Sequence, residues 1–400
     1  MICTPKLELL SRSNPLITIF AFQTKVTSFL LFSTYKLIWN KDSNIYKLAE
    51  CNFFKKVLIF IFQVSLCWRI LLELRVALDS LKVSSTNIIT YMNSGNQIAI
   101  CFISISFPYF NWVSKDRVHA YTEQLQSSIC LPKAGNSRRN VTIMLTCMVW
   151  SSVLCLAGFR WFFMTFGADI FDFQLLFENS MGHYLFATVF PQWVGDNSWL
   201  KPLCQCYIIM TEFYYVIYIH LADWSNVTNS YFGFLITKEF VDVVCHDENL
   251  TAQEFLKFYT SFKKVQRCRN KHYSLFIVTI FIVTISYYSV HFTELIDSTG
   301  ITGQEMNIAT RISLLVYIFD VSLFFAMSAK TSIKCEDIRK IFKGKLLLEI
   351  PTYQLRLILE DIQNGAHCVR YNHLLIFTPG VVGMIVQNVA TFAILIIQNN

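Results

Sequence analysis

The sequence predicts an all-α polytopic membrane protein with seven transmembrane helices, a cytoplasmic N-terminus and an extracellular C-terminus. Three observations lead there. Of 400 residues, 54% are hydrophobic and 15% charged, against about 25% charged in soluble domains, too few to clothe a soluble surface. Apolar blocks of about 20 residues, long enough to cross about 30 Å of hydrocarbon, recur along the whole chain. The basic residues alternate in position: eight Lys and Arg lie in 1–56, five in 113–140, seven in 224–271 and seven in 331–371, whereas 79–87, 164–199 and 297–307 hold one, Lys82. Short loops obey the positive-inside bias, so the basic side is cytoplasmic. With 8 Pro and 13 Gly in the chain, the blocks read as helices; the alternating segments of about 10 residues that an outer-membrane barrel requires are absent.

The spacing predicts spans at 57–78, 88–112, 141–163, 200–222, 272–296, 308–330 and 374–398. The chain thereby divides into a cytoplasmic N-terminal region (1–56), six spans with cytoplasmic extensions (57–330), a cytoplasmic helical segment (331–371) and a last helix (372–400). No cleavable signal peptide is evident, because no short apolar core with a small-residue cleavage site follows Lys6 and Arg12. The stretch 15–39 is apolar but carries Lys25 and Lys36. At about 2.5 kcal/mol or more for each charge at mid-membrane, it reads as an interfacial or re-entrant helix. The N-x-T sequons at Asn140, Asn226 and Asn249 fall on or near the cytoplasmic side and are expected to carry no glycan.

Helices are expected to continue beyond the membrane. Phe255, Phe258, Phe262 and Val265 recur at helical spacing just before the fifth span, and Thr251 with Glu254 three residues on is a capping-box signature. Together they predict a rod of about 45 residues. The segment 331–371 carries Ile338, Ile341 and Phe342, then Leu355, Leu359 and Ile362 after Pro351. Two amphipathic helices facing that rod would form a cytoplasmic bundle; helices lying flat at the headgroups are the alternative.

Ionisable groups inside a bilayer are costly and mark function by default. Arg160, Glu212, His291 and Asp320 fall from mid-membrane to the outer side; alternatively, Arg160 simply pairs with Asp320 or Glu212 to hold the bundle. Tyr207, Tyr287, Tyr288 and Tyr317 offer aromatic faces with polar tips, and Asn96 and Gln97 lie in the second span. This chemistry suits a pocket for amphipathic small molecules. No HExxH, GxSxG or phosphate-binding glycine loop occurs, and the 13 Cys and 8 His show no ligand spacing. No enzymatic activity, cofactor, metal site or nucleic-acid partner is therefore expected.

In the final run TFAILIIQNN, Thr391, Leu395 and Gln398 share one helical face with Ile394 at its border. An amide in hydrocarbon costs several kcal/mol, about 2–7 by transfer measurements, whereas a helix lining a water-filled axis accommodates it; alternatively, Gln398 simply ends the helix at the headgroups.

This run resembles TYhhhhhQF, the signature of the last helix of insect gustatory receptors, in the insect chemoreceptor superfamily. Thr391 and Gln398 match, with apolar residues from Ala393 to Ile397; Phe392 stands in place of Tyr and Asn399 in place of Phe. Residues 329–342 resemble the polar helix after the family's sixth span, and 353–365 its short cytoplasmic helix, while the FTAxGFF element is poorly kept at 369–375. The resemblance implies a seven-transmembrane ligand-gated cation channel of the plasma membrane of sensory dendrites. Such a channel is a homo- or hetero-tetramer whose last helices line a central pore and whose subunits bind tastants among the outer halves of spans two to six. Thr391, Ile394, Leu395, Gln398 and Asn399 would then form the pore and gate. Ala393 replaces the Glu typical of the sugar-responding branch, which points to a bitter-type or other non-sugar ligand; a sugar-responding member is the alternative within the family. A G-protein-coupled receptor is the alternative outside it, on the triplet Asp116, Arg117, Val118, but NPxxY, CWxP and an external disulfide cysteine in 164–199 are lacking.

Overall fold

The chain is described by a computed structural model over residues 15–43, 45–65, 67, 78, 115–127, 142–156, 200–246, 250–296, 308–341, 350–371 and 375–398. Nine helices and two small hairpins occur among the described residues. The order is α1 (Pro15–Phe29), β1 (Tyr35–Asn40), β2 (Ile45–Glu50), α2 (53–65), α3 (Lys115–Ser127), α4 (Thr142–Leu156), α5 (Leu200–His246), α6 (Ala252–Ile296), α7 (Ile308–Ile341), α8 (Thr352–Gln363), β3 (Arg370–Tyr371), β4 (Leu375–Ile376) and α9 (Pro379–Gln398). One described segment, Leu314–Ile338, is long and apolar enough to cross a membrane; Leu16–Phe29, Thr142–Leu156 and Pro379–Leu395 are shorter apolar helices. The stretch 88–112 and the loop 164–199 lie outside the described residues.

Three long helices set the architecture. The 47 residues of α5 and the 45 of α6 give rods of about 70 Å, and α7 runs without a break from the predicted sixth span through Ile341. The α6 rod starts where its capping box predicts: the Thr251 amide donates to Glu254 Oε2 at 3.1 Å, and the Glu254 amide donates to Thr251 Oγ1 at 3.3 Å. Phe255, Phe262 and Val265 of the apolar stripe are buried and Phe258 is half-buried. They pack with the second half of α5, where Phe240 stacks on Phe262 with centroids 4.5 Å apart. The end of α7, where Ile338 is buried, and α8, through Ile358 and Ile362, complete this lower bundle.

A buried polar seam runs through the lower bundle. Arg269 of α6 is fully buried; its Nη2 donates to Asn270 Oδ1 at 2.9 Å and to the Cys368 carbonyl at 3.2 Å, which also accepts from Asn270 Nδ2 at 2.9 Å. Opposite it stands Gly233 of α5, where an added Cβ would lie 1.4 Å from Arg269 Nη1. Gln266 bridges to the Gly233 carbonyl and to Thr237 Oγ1. Nearby, Tyr259 donates to Asp361 of α8 and meets His367 Nε2 at 2.9 Å, and Lys263 pairs with the same Asp361.

The structure departs from sequence expectation at both ends of the chain. The N-terminal stretch is helical only over Pro15–Phe29. Leu31 takes a φ of 63°, and the chain then forms the β1–β2 hairpin, in which Tyr35 and Leu37 turn inward while Lys36 and Ile38 face out. Alternating aromatic and aliphatic residues favour this pleat, and Asn40 Oδ1 caps the turn by accepting from the Asp42 and Ser43 amides. Lys25 is exposed on α1, and Lys36 belongs to the hairpin, where it is exposed as well. The hairpin is held to α3 by Gln126, which bonds both the amide and the carbonyl of Tyr46, and by Glu50 between Lys56 and Lys115. Those two ammonium groups hold the exposed Glu50 carboxyl down to about 2.

At the C-terminal end, the helix within the expected 374–398 span starts only at Pro379, with Pro379 and Gly380 as its opening residues. Thr378 caps α9, its Oγ1 accepting from the Val381 amide at 3.3 Å, and Pro at the first helical position lacks only a donor that would be unpaired anyway. The 20 residues of α9 span about 30 Å. Among the sequons, Asn226 is buried within α5 and donates to the Ala222 carbonyl, leaving no room for a glycan; Asn140 and Asn249 lie outside the described residues.

Two outcomes are expected. Gly233→Ala forces a packed guanidinium aside and costs about 1–3 kcal/mol, read as a lower melting temperature of the purified chain. Burial holds His367 neutral, with its pKa lowered from 6.5 to about 3. The unfolded chain thus binds a proton below pH 6.5 that the folded protein refuses until near pH 3, so stability is complete above 6.5 and falls on acidification toward 3. The His367→Asn variant is expected to melt with a shallower pH dependence over that window; an unchanged slope refutes the assignment.

Candidate functional site

The candidate site lies where α4, α5 and α7 meet under α1. Spacing of hydrogen bonds fixes the relation of α5 to α7: His220 lies beside Asp320 and Ser230 beside Ser328, so the two helices run parallel. This aligns the apolar part of α7, from Leu314, with α5 from about Tyr214 onward, and the apolar level of α5 therefore extends beyond the 200–222 expected from sequence.

At this level sits a cluster of buried polar side chains in an otherwise apolar surround. Asp320 is fully buried, with Oδ2 3.4 Å from His220 Nδ1. On the other ring edge, His220 Nε2 lies 3.0 Å from Ser152 Oγ, which itself donates to the Met148 carbonyl. The hydroxyl proton is thus used, and Nε2 is the donor. Nδ1 and Oδ2 then face each other as two acceptors unless a proton rests on one of them, so the His220–Asp320 pair is attractive only as a proton-sharing unit. Ser151, the neighbour of Ser152, accepts from Trp224 Nε1 at 2.8 Å. Neither Asp320 oxygen has a hydrogen-bond donor among the described residues, an arrangement whose cost grows with the low dielectric around it.

Two apolar cavities flank the cluster. One of about 350 Å³ lies between α1, α4 and α5 and is lined by Phe22, Val26, Val149, Ser152, Ile217 and His220, among others. The other, of about 250 Å³, lies below it between α4, α5 and α7, against Met144, Trp224, Tyr231, Leu323 and Met327. Volumes of this order hold small apolar molecules, and the polar cluster offers such a molecule a hydrogen-bonding wall. The α1 helix forms one wall of the upper cavity; Gln23 donates to Ser225 at 2.6 Å, and Tyr214 donates to the Leu31 carbonyl at 2.9 Å.

Of the residues singled out from sequence, the structure brings Asp320 and Tyr317 to this place, Tyr317 reaching Cys155 of α4. Tyr288 is buried on α6. Among the described residues Asp320 faces His220, which α5 presents at its level. Tyr207 and Glu212 lie on α5 and Tyr287 and His291 on α6, with side chains outside the described set, as are Asn96, Gln97 and Arg160 altogether. Sequence reasoning passed over Ser151, Ser152, His220 and Trp224. The signal for His220 was an ionisable residue beside an apolar run, obscured by the assumed span end at 222.

The last helix supplies the second part of the site. Ile385 and Ala393 of α9 are buried against the rest of the chain, whereas Thr391 and Gln398 are exposed, with Ile394 at 54% and Leu395 at 37%. Gln387, one turn before Thr391, is exposed as well. Gln387, Thr391, Ile394 and Gln398 recur every three or four residues and form one stripe along the outer face of α9. Asn399 lies outside the described residues.

Alanine at His220 or at Asp320 is expected to lower thermal stability. The double variant should lose less than the sum of the single losses by about 0.5–3 kcal/mol. Strictly additive melting shifts would show that the two groups do not interact.

No protein-family profile and no curated protein sequence matches the chain. Its fold is shared with solved structures of the insect olfactory receptor OR5 from Machilis hrabei. One superposes with a TM-score of 0.62 at 10% identity, covering 96% of this chain and 100% of that one. The structure of the same receptor in complex with eugenol superposes with a TM-score of 0.52 at 10% identity and the same coverage. Over 96% of its length, the chain shares the fold of an insect olfactory receptor.

Proposed function

We propose that the chain is an insect gustatory receptor, a subunit of a tetrameric, ligand-gated, non-selective cation channel in the plasma membrane of a sensory neuron. The observation that carries this reading is the outer face of α9. A helix with the composition of a membrane span, on a chain with the fold of an insect chemoreceptor, turns Gln387, Thr391 and Gln398 away from its own subunit. Amides facing lipid are costly; around a four-fold axis the same stripe would line water. Ile394 and Leu395, exposed between Thr391 and Gln398, would supply the apolar constriction, with Asn399 at the outer mouth. An apolar ring gates by excluding water until it widens.

The cytoplasmic N-terminus and external C-terminus follow from the distribution of Lys and Arg, which puts the lower bundle in the cytoplasm and Gln398 at the outer end of the pore. Seven spans place α5, α6, α7 and α9 as the fourth to seventh. The ligand is a small, largely apolar molecule held among the spans around Asp320 and Tyr317, with Tyr207, Glu212, Tyr287, Tyr288, His291, Arg160, Asn96 and Gln97 toward the outer side. Ala393 is buried at 3% exposure, where the sugar-responding branch carries Glu, and a carboxylate there would be desolvated without a partner. This supports a bitter-type or other non-sugar tastant.

The test is electrical. Expressed in cells without other receptor subunits or with related ones, the chain is expected to give a cation current evoked by members of a panel of plant alkaloids and phenols and insensitive to G-protein blockade. Gln398→Ala is expected to alter permeation or gating of that current. Currents abolished by G-protein blockade would instead support a G-protein-coupled receptor, and wild-type permeation and gating in Gln398→Ala would remove α9 from the pore.

A further inference from the structure

The upper of the two cavities is framed by one face from each of three helices. Phe22, Val26 and Leu30 stand one turn apart on α1, and Val149, Ser152 and Val153 share a face of α4. The third wall is α5, through Ile217 and His220. Neither α6 nor α7 contributes to the lining, and neither Asp320 nor Tyr317 belongs to it, so this is a different place from the pocket proposed above for the tastant.

The chemistry of the lining is selective. Apart from sulfur, its side-chain polar atoms are those of Ser152 and His220. The Ser152 hydroxyl donates to the Met148 carbonyl at 2.8 Å, and its oxygen takes the His220 Nε2 proton at 3.0 Å. The other ring nitrogen of His220 is taken up with Asp320. A hydroxyl oxygen has two lone pairs and a single proton, so Ser152 keeps one acceptor position and no donor. A molecule that only accepts finds no strong donor on this wall. An ammonium would exchange its water for one neutral oxygen, and an ionised carboxylate would lose its water for nothing. What fits is a neutral O–H donor on an apolar body. A cavity of about 150 Å³ holds benzene, and at about 350 Å³ this one takes about 14 non-hydrogen atoms in the same ratio. An alkylphenol or a medium-chain alcohol is of that size, whereas a sterol is too large.

We propose that the upper cavity is a second ligand site, which takes a neutral apolar hydroxyl compound whose O–H donates to Ser152 Oγ. Phe22, Val149 and Val153 of the lining are 42%, 52% and 48% exposed, so the cavity opens on the outside of the bundle. With α4 read as part of the third span, that side meets hydrocarbon, and the ligand arrives dissolved in the bilayer. Once bound, it packs α1 against α4 and α5, adding apolar contact to the Gln23–Ser225 bond. The route of entry rests on the membrane reading; the site itself does not rest on the channel reading.

The test labels the full-length chain in native membranes with a diazirine-bearing hexylphenol and maps the adducts by peptide mass spectrometry. They are expected on the parts of α1 and α4 that wall the cavity. At equal concentration in the membrane, para-hexylphenol is expected to displace the label about fivefold more effectively than its methyl ether, the share of one neutral hydrogen bond. Ser152→Ala removes the acceptor and frees the His220 Nε2 proton, so the phenol is expected to lose its advantage over the ether while labelling continues. Val149→Trp and Val26→Trp fill the cavity from opposite walls, and each is expected to abolish labelling there. Adducts confined to other segments, equal displacement by phenol and ether in the wild-type chain, or a preference for the phenol unchanged in Ser152→Ala would each overturn the proposal. Because binding is read without current, a chain that conducts no ions leaves this test intact.

Discussion

A guanidinium deprived of water sets the terms on which the lower half of this molecule is built. Arg269 of α6 reaches into the seam against α5, fully buried. Gly233 has no side chain to block the approach of Nη1, and the Cys368 carbonyl and the Asn270 side-chain oxygen accept from Nη2. Burial lowers its pKa only to about 10, so it stays charged at neutral pH. The Cys368 carbonyl belongs to the strand-forming segment that leads into α9. The same cation therefore joins two long helices to the entry of the last one, and the lower bundle is a coupling device as much as a support.

Above it, the structure solves a second polar problem differently. Around His220 and Asp320 the packing is apolar, with cavities on both sides, and the pair must hold its charges by sharing a proton. The α1 helix covers this region, and the hairpin that follows is fastened from outside by Gln126 and Glu50. This short helix is tied to the spans through Gln23 to Ser225 and to the chain after it through Thr24 to the Leu37 amide and Ser28 to Lys55, and the Tyr214 hydroxyl holds the Leu31 carbonyl just beyond its end.

What was legible in the sequence was local. The capping box of α6, its phenylalanine stripe and the amphipathic α8 depend on residues three or four apart, and each stands where its spacing puts it. That Thr391, Leu395 and Gln398 share a face of α9 is read from spacing in the same way, and all three are exposed. Three features were not. The hairpin after α1 rests on an alternation of only six residues on each side of a turn, masked by the apolar run before it. The partnership of Asp320 with His220 depends on the register of α5 against α7, which no spacing along one helix encodes. Arg269 counts, in the sequence, as one loop charge among seven on the basic side; only packing reveals that it never meets solvent.

The long helices carry one more consequence. Neither α6 nor α7 contains a proline or glycine, the usual causes of a kink, so each links its two ends as a single rigid screw. Adding or deleting one residue between the capping box and Tyr288 would turn the far end by about 100° and carry its inward side chains out of the core. Loops can lengthen or shorten with little penalty, but in these helices the number of residues sets a phase: the angular setting at the upper end follows from where Arg269 is docked at the lower.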